Sequence, residues 1–252
     1  MANILHIETS TEQCGVALAQ NTTILGSREV LENGFTHAKQ LHTLIDEVLS
    51  ECGLLPDQLD AVAVSEGPGS FTGLRIGCVA AKGLCFALDI PLIALPTLQI
   101  LATPHSKNSM VVSLLDARRD EVYAAVYNKG GTLKGETHAH ILTASSFADL
   151  AANQVSFVGT GAEKTKDLLP SNPNWKFVSS HPSATAMPAL AFKAFEKKQF
   201  ANIHSFAPAY LKPVRITASK NCLLYTSDAA DEVSRGVVGG RRVSGGVGGG
   251  GG

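Results

Sequence analysis

The sequence is short of nearly everything that announces a chemistry by itself. Its five cysteines, Cys14, Cys52, Cys78, Cys85 and Cys222, are odd in number and contain no C-x-x-C pair and no zinc-ligand spacing. They read as reduced, mostly buried thiols, which excludes a disulfide framework. Neither sign of charge dominates: 21 Lys plus Arg face 22 Asp plus Glu, a formal net charge of -1. No global basic field is there to recruit a polyanion, so an RNA partner has to be met by a local patch or through another subunit. The opening "MANILHIETS" has no basic segment followed by an apolar run, and no window is read as reaching the roughly 18 apolar residues of a membrane helix. The expectation is a cytoplasmic protein without a membrane partner. A P-loop lysine and a G-x-S-x-G elbow around Ser65 are also missing, and the turn at Gly67 to Gly73 lacks the G-x-G-x-x-G spacing, which removes the usual nucleotide and serine-hydrolase signatures there.

What is present is enough apolar sequence, 44% of 252 residues, for one large or two small domains. "NILHIETS", "CGVALAQ" and "TTILGSREV" have the alternation or short apolar runs of three strands, joined by turn formers. From Thr36 to Cys52, Leu41, Leu44, Ile45, Val48, Leu49 and Cys52 recur at helical spacing, with Thr36 as N-cap and Gly53 as stop. "AVAVS" reads as a buried strand, "TGLRIGCVAAKGLCFALD" as a second helix and "PLIAL" as a further strand.

The second half repeats that order. "MVVSLLDA", "EVYAAVYN" and "TLKGETHAHIL" are expected strands, followed by a helix over Ser145 to Ala152, the strand "VSFVG", a short helix from Glu163 to Leu169, the strand "WKFVS" and a last helix from about Ala186 to Lys198. Two copies of one three-strand, helix, strand, helix, strand unit imply an α/β protein of two mixed sheets flanked by helices. The expected domains are 1–104 and 105–220, with Pro104 to Asn108 as the boundary. Residues 221–252 hold ten of the 24 glycines, without helix or strand period, and are expected to be a disordered tail. Its "LLYTSDAADE" looks like translated adaptor sequence, so the natural chain is expected to depart from this text near Lys220.

The stretch with the most local character is "EGPGSFTGLRIG", Glu66 to Gly77. Pro68 fixes a turn, Gly67 and Gly69 allow close backbone approach, and Ser70 or Thr72 can cap the helix behind it. Gly73, Gly77, Ala80, Ala81 and Gly83 line much of that helix. Interior glycine costs about 0.5–1 kcal/mol relative to alanine, so close packing on something is expected, either this chain's own sheet or another subunit. The histidines say less. His37 and His42 lie five apart on a helix and do not converge, His138 and His140 form a weak H-x-H, and His6 reads as a core residue.

"ILHIETSTEQCGVAL", "GPGSFTGLRIG", "AAKGLCFALDIPLIALPTL", "LLDARRDEVYAAVY" and "PAYLK" together resemble the TsaB family, also called YeaZ, over about residues 1–215. The resemblance implies an actin-like (ASKHA) fold of two ribonuclease-H-like lobes. It also implies service in making threonylcarbamoyladenosine on the tRNA adenosine 3′ of the anticodon, as the non-catalytic companion of the TsaD-type transferase together with a TsaE-type ATPase. Where the catalytic relative holds a metal with two histidines, this chain has Thr97 and Leu101, which make no transition-metal site. No metal or tightly bound cofactor is therefore expected here, with ATP, magnesium and a metal expected in the partner subunits. Actin-like proteins carry an acidic residue at the end of the first strand. Here that is Glu8, where the family more usually has Asp, and Glu8, Thr9, Ser10, Gly67 and Gly69 are the candidate nucleotide cleft. The resemblance also implies a helix pair that docks on another subunit, with Thr36, His37, Leu41, Leu44, Gly73, Ile76, Gly77 and Ala80 as candidate interface residues, for a transferase or for a second copy of this chain. "DARRDE" is the second half's counterpart of the first-strand turn, with Asp120 where the family often has Gly. Its Arg118 and Arg119, opposed if extended, are expected to pair with Asp116, Asp120 or Glu121, with contact to phosphate or RNA as the alternative. The rival readings are a stand-alone actin-like ATPase or kinase using Glu8 and Asp116, and a metallopeptidase.

Overall fold

Alternating and short apolar runs become ten strands among the described residues, divided between two sheets of five. The computed structural model describes residues 1–31 and 37–212, all within one compact unit, Met1–Pro213. In the first sheet β1 (Asn3–Glu8), β2 (Gln13–Gln20) and β3 (Thr23–Leu31) form an antiparallel meander. To this β4 (Ala61–Gly67) and β5 (Leu92–Pro96) add in parallel, giving the order β3-β2-β1-β4-β5. The second sheet has β6 (Met110–Asp116), β7 (Glu121–Tyr127), β8 (Leu133–Ile141), β9 (Val155–Val158) and β10 (Trp175–Val178) in the order β10-β9-β6-β7-β8. The connectivity is the same, so β6 is the counterpart of β1 and Asp116 that of Glu8.

Central strands covered on both faces read as unbroken apolar runs, which is why "ILHI" and "AVAV" lack alternation. One face of the first sheet meets α1 (His37–Glu51) and α2 (Phe71–Leu88), with Leu41, Leu44, Ile45, Val48 and Leu49 packed against Leu5, Ile7, Val16 and Leu18. The other face meets α5 (Pro188–Glu196), where Met187 and Ala191 lie against Ile4, Ala63 and Ile93. Conversely α3 (Thr97–Ala102), which follows β5, sets Leu98, Leu101 and Ala102 against Val111, Leu115 and Tyr127 of the second sheet. Each half thus lends its last helix to the other half's sheet, and α4 (Ala162–Leu168) completes the second half beside β10.

Three local expectations change. No helix runs from Ser145 to Ala152: Ser146 Oγ accepts the Thr143 N–H at 2.9 Å, Phe147 adopts φ 61°, and a single 3-10 turn remains at Ala148–Leu150. Side-chain competition for the backbone and a left-handed residue both break a helix there. The unexpected α3 is too short and too fully buried to show a period. Finally, α2 is 18 residues long with mean hydropathy 1.4, the one described helix that by length and composition could cross a bilayer. It carries Arg75 and Lys82 and packs on β4, as a core helix does. The expected N-cap Thr36 and the glycine-rich tail lie outside the described residues.

Candidate functional site

The end of β1 is where the chain's unsatisfied chemistry collects. Glu8 is fully buried; its Oε1 accepts the Ser10 N–H at 2.7 Å, while Oε2 and the hydroxyls of Ser10 and Ser65 have no hydrogen-bond partner of good geometry among the described residues. Burial pushes the Glu8 carboxyl up to about 7; the Ser10 and Ser65 groups beside it act in the opposite sense, and the Glu29 charge adds to the rise. Burial and the Glu8 charge together push the Cys14 thiol up to about 11, so that cysteine is inert as a nucleophile. His6, one strand position before Ile7, is a core residue held down to about 4 by burial; one ring nitrogen faces the Ala17 carbonyl at 3.2 Å and the other has no partner among the described residues.

The five candidate cleft residues do come together, but they grip the chain itself. Ser70 N–H donates to the Ser10 carbonyl at 2.7 Å, and Ser70 Oγ caps α2 by accepting the Gly73 N–H at 3.3 Å. Thr9 Oγ1 donates to the Gly73 carbonyl at 2.9 Å. A Cβ on Gly69 would collide with the Ser10 carbonyl, and one on Gly67, whose φ is +116°, would meet the Ala209 carbonyl at 2.6 Å. The Ser70 donor that a phosphate cradle at this helix start would use is therefore already taken. The glycine-proline-glycine turn holds the β1–β2 turn on one side and the segment 206–210 on the other.

The same logic corrects the candidate interface. Gly73 and Gly77 lie against Thr9, where a Cβ would collide with the Thr9 carbonyl and with Thr9 Oγ1 respectively. His37 is buried, with Nε2 bonded to the Thr11 carbonyl at 2.7 Å; Leu41, Leu44 and Ala80 belong to the core, and Ile76 packs on it. These residues face the chain's own sheet because helical periodicity marks an apolar stripe without saying which body covers it. The outward face of α2 is Thr72, Arg75, Val79, Gly83 and Phe86, and Val79 and Phe86 are 70% and 73% exposed. Thr36 lies outside the described residues.

Segment 201–212 runs across α2 as a strap. Ala201 N–H donates to the Leu92 carbonyl at 2.8 Å, Lys82 Nζ donates to the Phe206 carbonyl at 3.0 Å, and Ala209 N–H donates to the Glu66 carbonyl at 2.7 Å. Tyr210 packs on Phe71 with centroids 4.8 Å apart and rings tilted by 37°, and accepts from Arg75 Nε at 3.3 Å, while that guanidinium lies 3.9 Å from the Phe71 centroid. Lys212 then pairs with Glu121 in the second sheet.

At the counterpart turn, Asp116 is exposed and its Oδ1 accepts both the Arg118 N–H and Lys164 Nζ at 2.7 Å. Arg118 and Arg119 have φ 67° and 52°, so the turn is not extended there and the opposed arrangement does not arise, and the ion-pair partners of Asp116 and Glu121 are lysines. Thr97 and Leu101 are buried on α3. Among the described residues no three His, Cys, Asp or Glu side chains converge as metal ligands.

Two sheets of identical ribonuclease-H-like order, related as successive halves of one chain, define an actin-like ATPase fold. The family described as "TsaD: tRNA N6-adenosine threonylcarbamoyltransferase" matches residues 34–229. The "tRNA threonylcarbamoyladenosine biosynthesis protein TsaB" of Escherichia coli (strain K12) is 33% identical over 174 residues, 66% of this chain and 74% of its own length. That of Bacillus subtilis (strain 168) is 29% identical over 221 residues, 83% of this chain and 93% of its own length. The solved structure "YeaZ from Pseudomonas aeruginosa" is 32% identical, covering 84% of this chain and 100% of that one with a TM-score of 0.73. The chain belongs to the TsaB (YeaZ) family.

Proposed function

We propose that this chain is a non-catalytic subunit in tRNA threonylcarbamoyladenosine biosynthesis, which binds and activates a TsaD-type transferase through the open face of α2 and the adjoining face of α1. The observation that carries it is the exposure of Val79 and Phe86, 70% and 73%, on a helix whose opposite face is packed down to its glycines. Large apolar side chains left open on a rigid helix are the anchors of a helix-to-helix interface. A scaffold of this kind acts by contacting one state of its partner better than another. A second copy of this chain could use the same face as a resting homodimer, and a TsaE-type ATPase and the tRNA join through the complex. In this reading the work is cytoplasmic, and ATP, magnesium and the metal belong to the partner subunits. The residues of this chain fit that division: Thr97 and Leu101 offer no ligand, and the turn at Glu8 is filled by its own backbone.

The test is light scattering on a sizing column of the full chain mixed with its TsaD-type partner. Wild type is expected to form a stable complex and Phe86→Asp to abolish it, with a melting temperature close to wild type because the side chain is exposed. A complex indifferent to Phe86→Asp and Val79→Asp would refute the assigned face. Magnesium-dependent ATP turnover by the isolated chain, lost in Glu8→Ala, would replace the scaffold reading with the ATPase one.

A further inference from the structure

We propose that Arg118 and Arg119, on the turn between β6 and β7, form a contact for the phosphate backbone of the tRNA; this rests on the reading that the chain works in tRNA modification. The turn's charges are already sorted. Lys164 Nζ reaches Asp116 Oδ1 at 2.7 Å and the carbonyls of Arg119 and Glu121 at 2.6 and 2.9 Å. Lys212 pairs with Glu121 and reaches the Ala117 carbonyl at 3.5 Å. Two ammonium groups are thus turned inward as clamps, while both arginines are exposed and neither makes an ion pair among the described residues.

The backbone supports the same conclusion. Ala117 N–H donates to the Glu121 carbonyl at 3.1 Å, Glu121 N–H donates to the Arg118 carbonyl at 3.3 Å, and Asp116 holds the Arg118 N–H, so the turn is fixed on several sides. Both arginines sit in the left-handed region, with φ 67° and 52°, where glycine or asparagine would be unstrained. A left-handed winding turns successive side chains by about 100°, whereas a strand turns them by 180°. The two side chains are therefore not set on opposite sides as they would be on a strand, and both stand exposed on one short turn, from which long arms can meet one strand of ligand. Guanidinium is the planar fork that takes phosphate oxygens in pairs. With a formal net charge of -1 and the exposed Asp120 next in the chain, no diffuse basic field does this work; the contact has to be direct.

The experiment measures binding of an unmodified tRNA transcript to the assembled complex of the full chain and its transferase partner over a range of salt. Arg118→Gln with Arg119→Gln is expected to weaken binding roughly tenfold and to lower the magnitude of the log-log salt slope by about 1.4, two phosphate contacts' worth. Complex formation and melting temperature should be unchanged, and the double Arg→Lys variant should keep the slope. An intact Gln-variant complex with wild-type affinity and slope would overturn the proposal, and so would a Gln variant that loses the transferase, because the arginines would then face an acidic protein surface. If the wild-type chain fails to bind the transferase, the scaffold reading falls first. The same salt series on the isolated chain then decides this inference, with wild-type binding that exceeds the Gln variant's supporting it and no difference overturning it.

Discussion

Glu8 and Asp116 end equivalent strands, and each accepts the N–H two residues on, at 2.7 Å in both cases. There the likeness stops. Glu8 is fully buried, and the turn after it is tied to the start of α2 through the Ser10 carbonyl and to His181 through Thr11, while Glu29 holds Ser183 and the Ala184 N–H. Asp116 stands in solvent, paired with Lys164. One duplicated topology therefore yields a sealed end and an open end. What separates them is how far the covering reaches: glycines at 69, 73 and 77 let the first turn be closed over by α2, while the β9–α4 turn, with Gly159, Thr160 and Gly161, packs on the second strand's backbone and leaves the Asp116 carboxylate to Lys164 and solvent.

The largest way to break the sealed end is Gly73→Ala. Its Cβ would be driven into the Thr9 carbonyl, a backbone atom with nowhere to move. A loss of about 3 kcal/mol or more is expected in urea unfolding; a loss below about 1 kcal/mol would show that the contact is looser than described.

Next comes Glu8→Gln. The folded carboxyl titrates near 7 against 4.5 for the free group, so the folded state keeps a proton that the unfolded state releases. The stability that the neutral form contributes is complete below pH 4.5 and is lost as pH rises through 7. Relative to wild type, Glu8→Gln should be neutral near pH 4 and more stable by about 3 kcal/mol at pH 8. Thermal melts across that range read the difference, and parallel curves for the two proteins would deny a buried neutral Glu8. Asp116→Asn sharpens the contrast: it loses an exposed ion pair, and unfolding should register below about 1 kcal/mol. The smallest effect is Gly83→Ala, where a Cβ meets nothing within 4 Å. A gain of about 0.5–1 kcal/mol should appear in the same unfolding assay, opposite in sign to Gly73→Ala on the same helix.

The doubled element order was legible because apolar runs and turn residues recur in the same sequence twice, and α1 emerged at His37–Glu51 from its spacing with Gly53, φ +64°, as its stop. The candidate site was only half legible. Glu8, Thr9, Ser10, Gly67 and Gly69 do meet, yet nothing in their spacing told that Ser10 and Ala209 carbonyls would occupy the space beside Gly69 and Gly67. The interface residues that the resemblance implied, where the structure describes them, are buried in the core or pack on it. The signal that would have found Val79 and Phe86 was large apolar residues off the buried stripe of α2.

By itself the sequence determined what is local: which segments extend or coil, where glycine must sit, and through five motifs the family. Tertiary structure decided what depends on pairs far apart in the chain. It lent α3 and α5 to each other's sheets, laid segment 201–212 across α2, and made one terminal carboxylate buried and its twin exposed. The physical reason is that burial and desolvation are properties of what covers a residue, and the cover here comes from far along the chain, 155 positions in the Glu29 bond to the Ala184 N–H and 135 in the Arg75 bond to Tyr210.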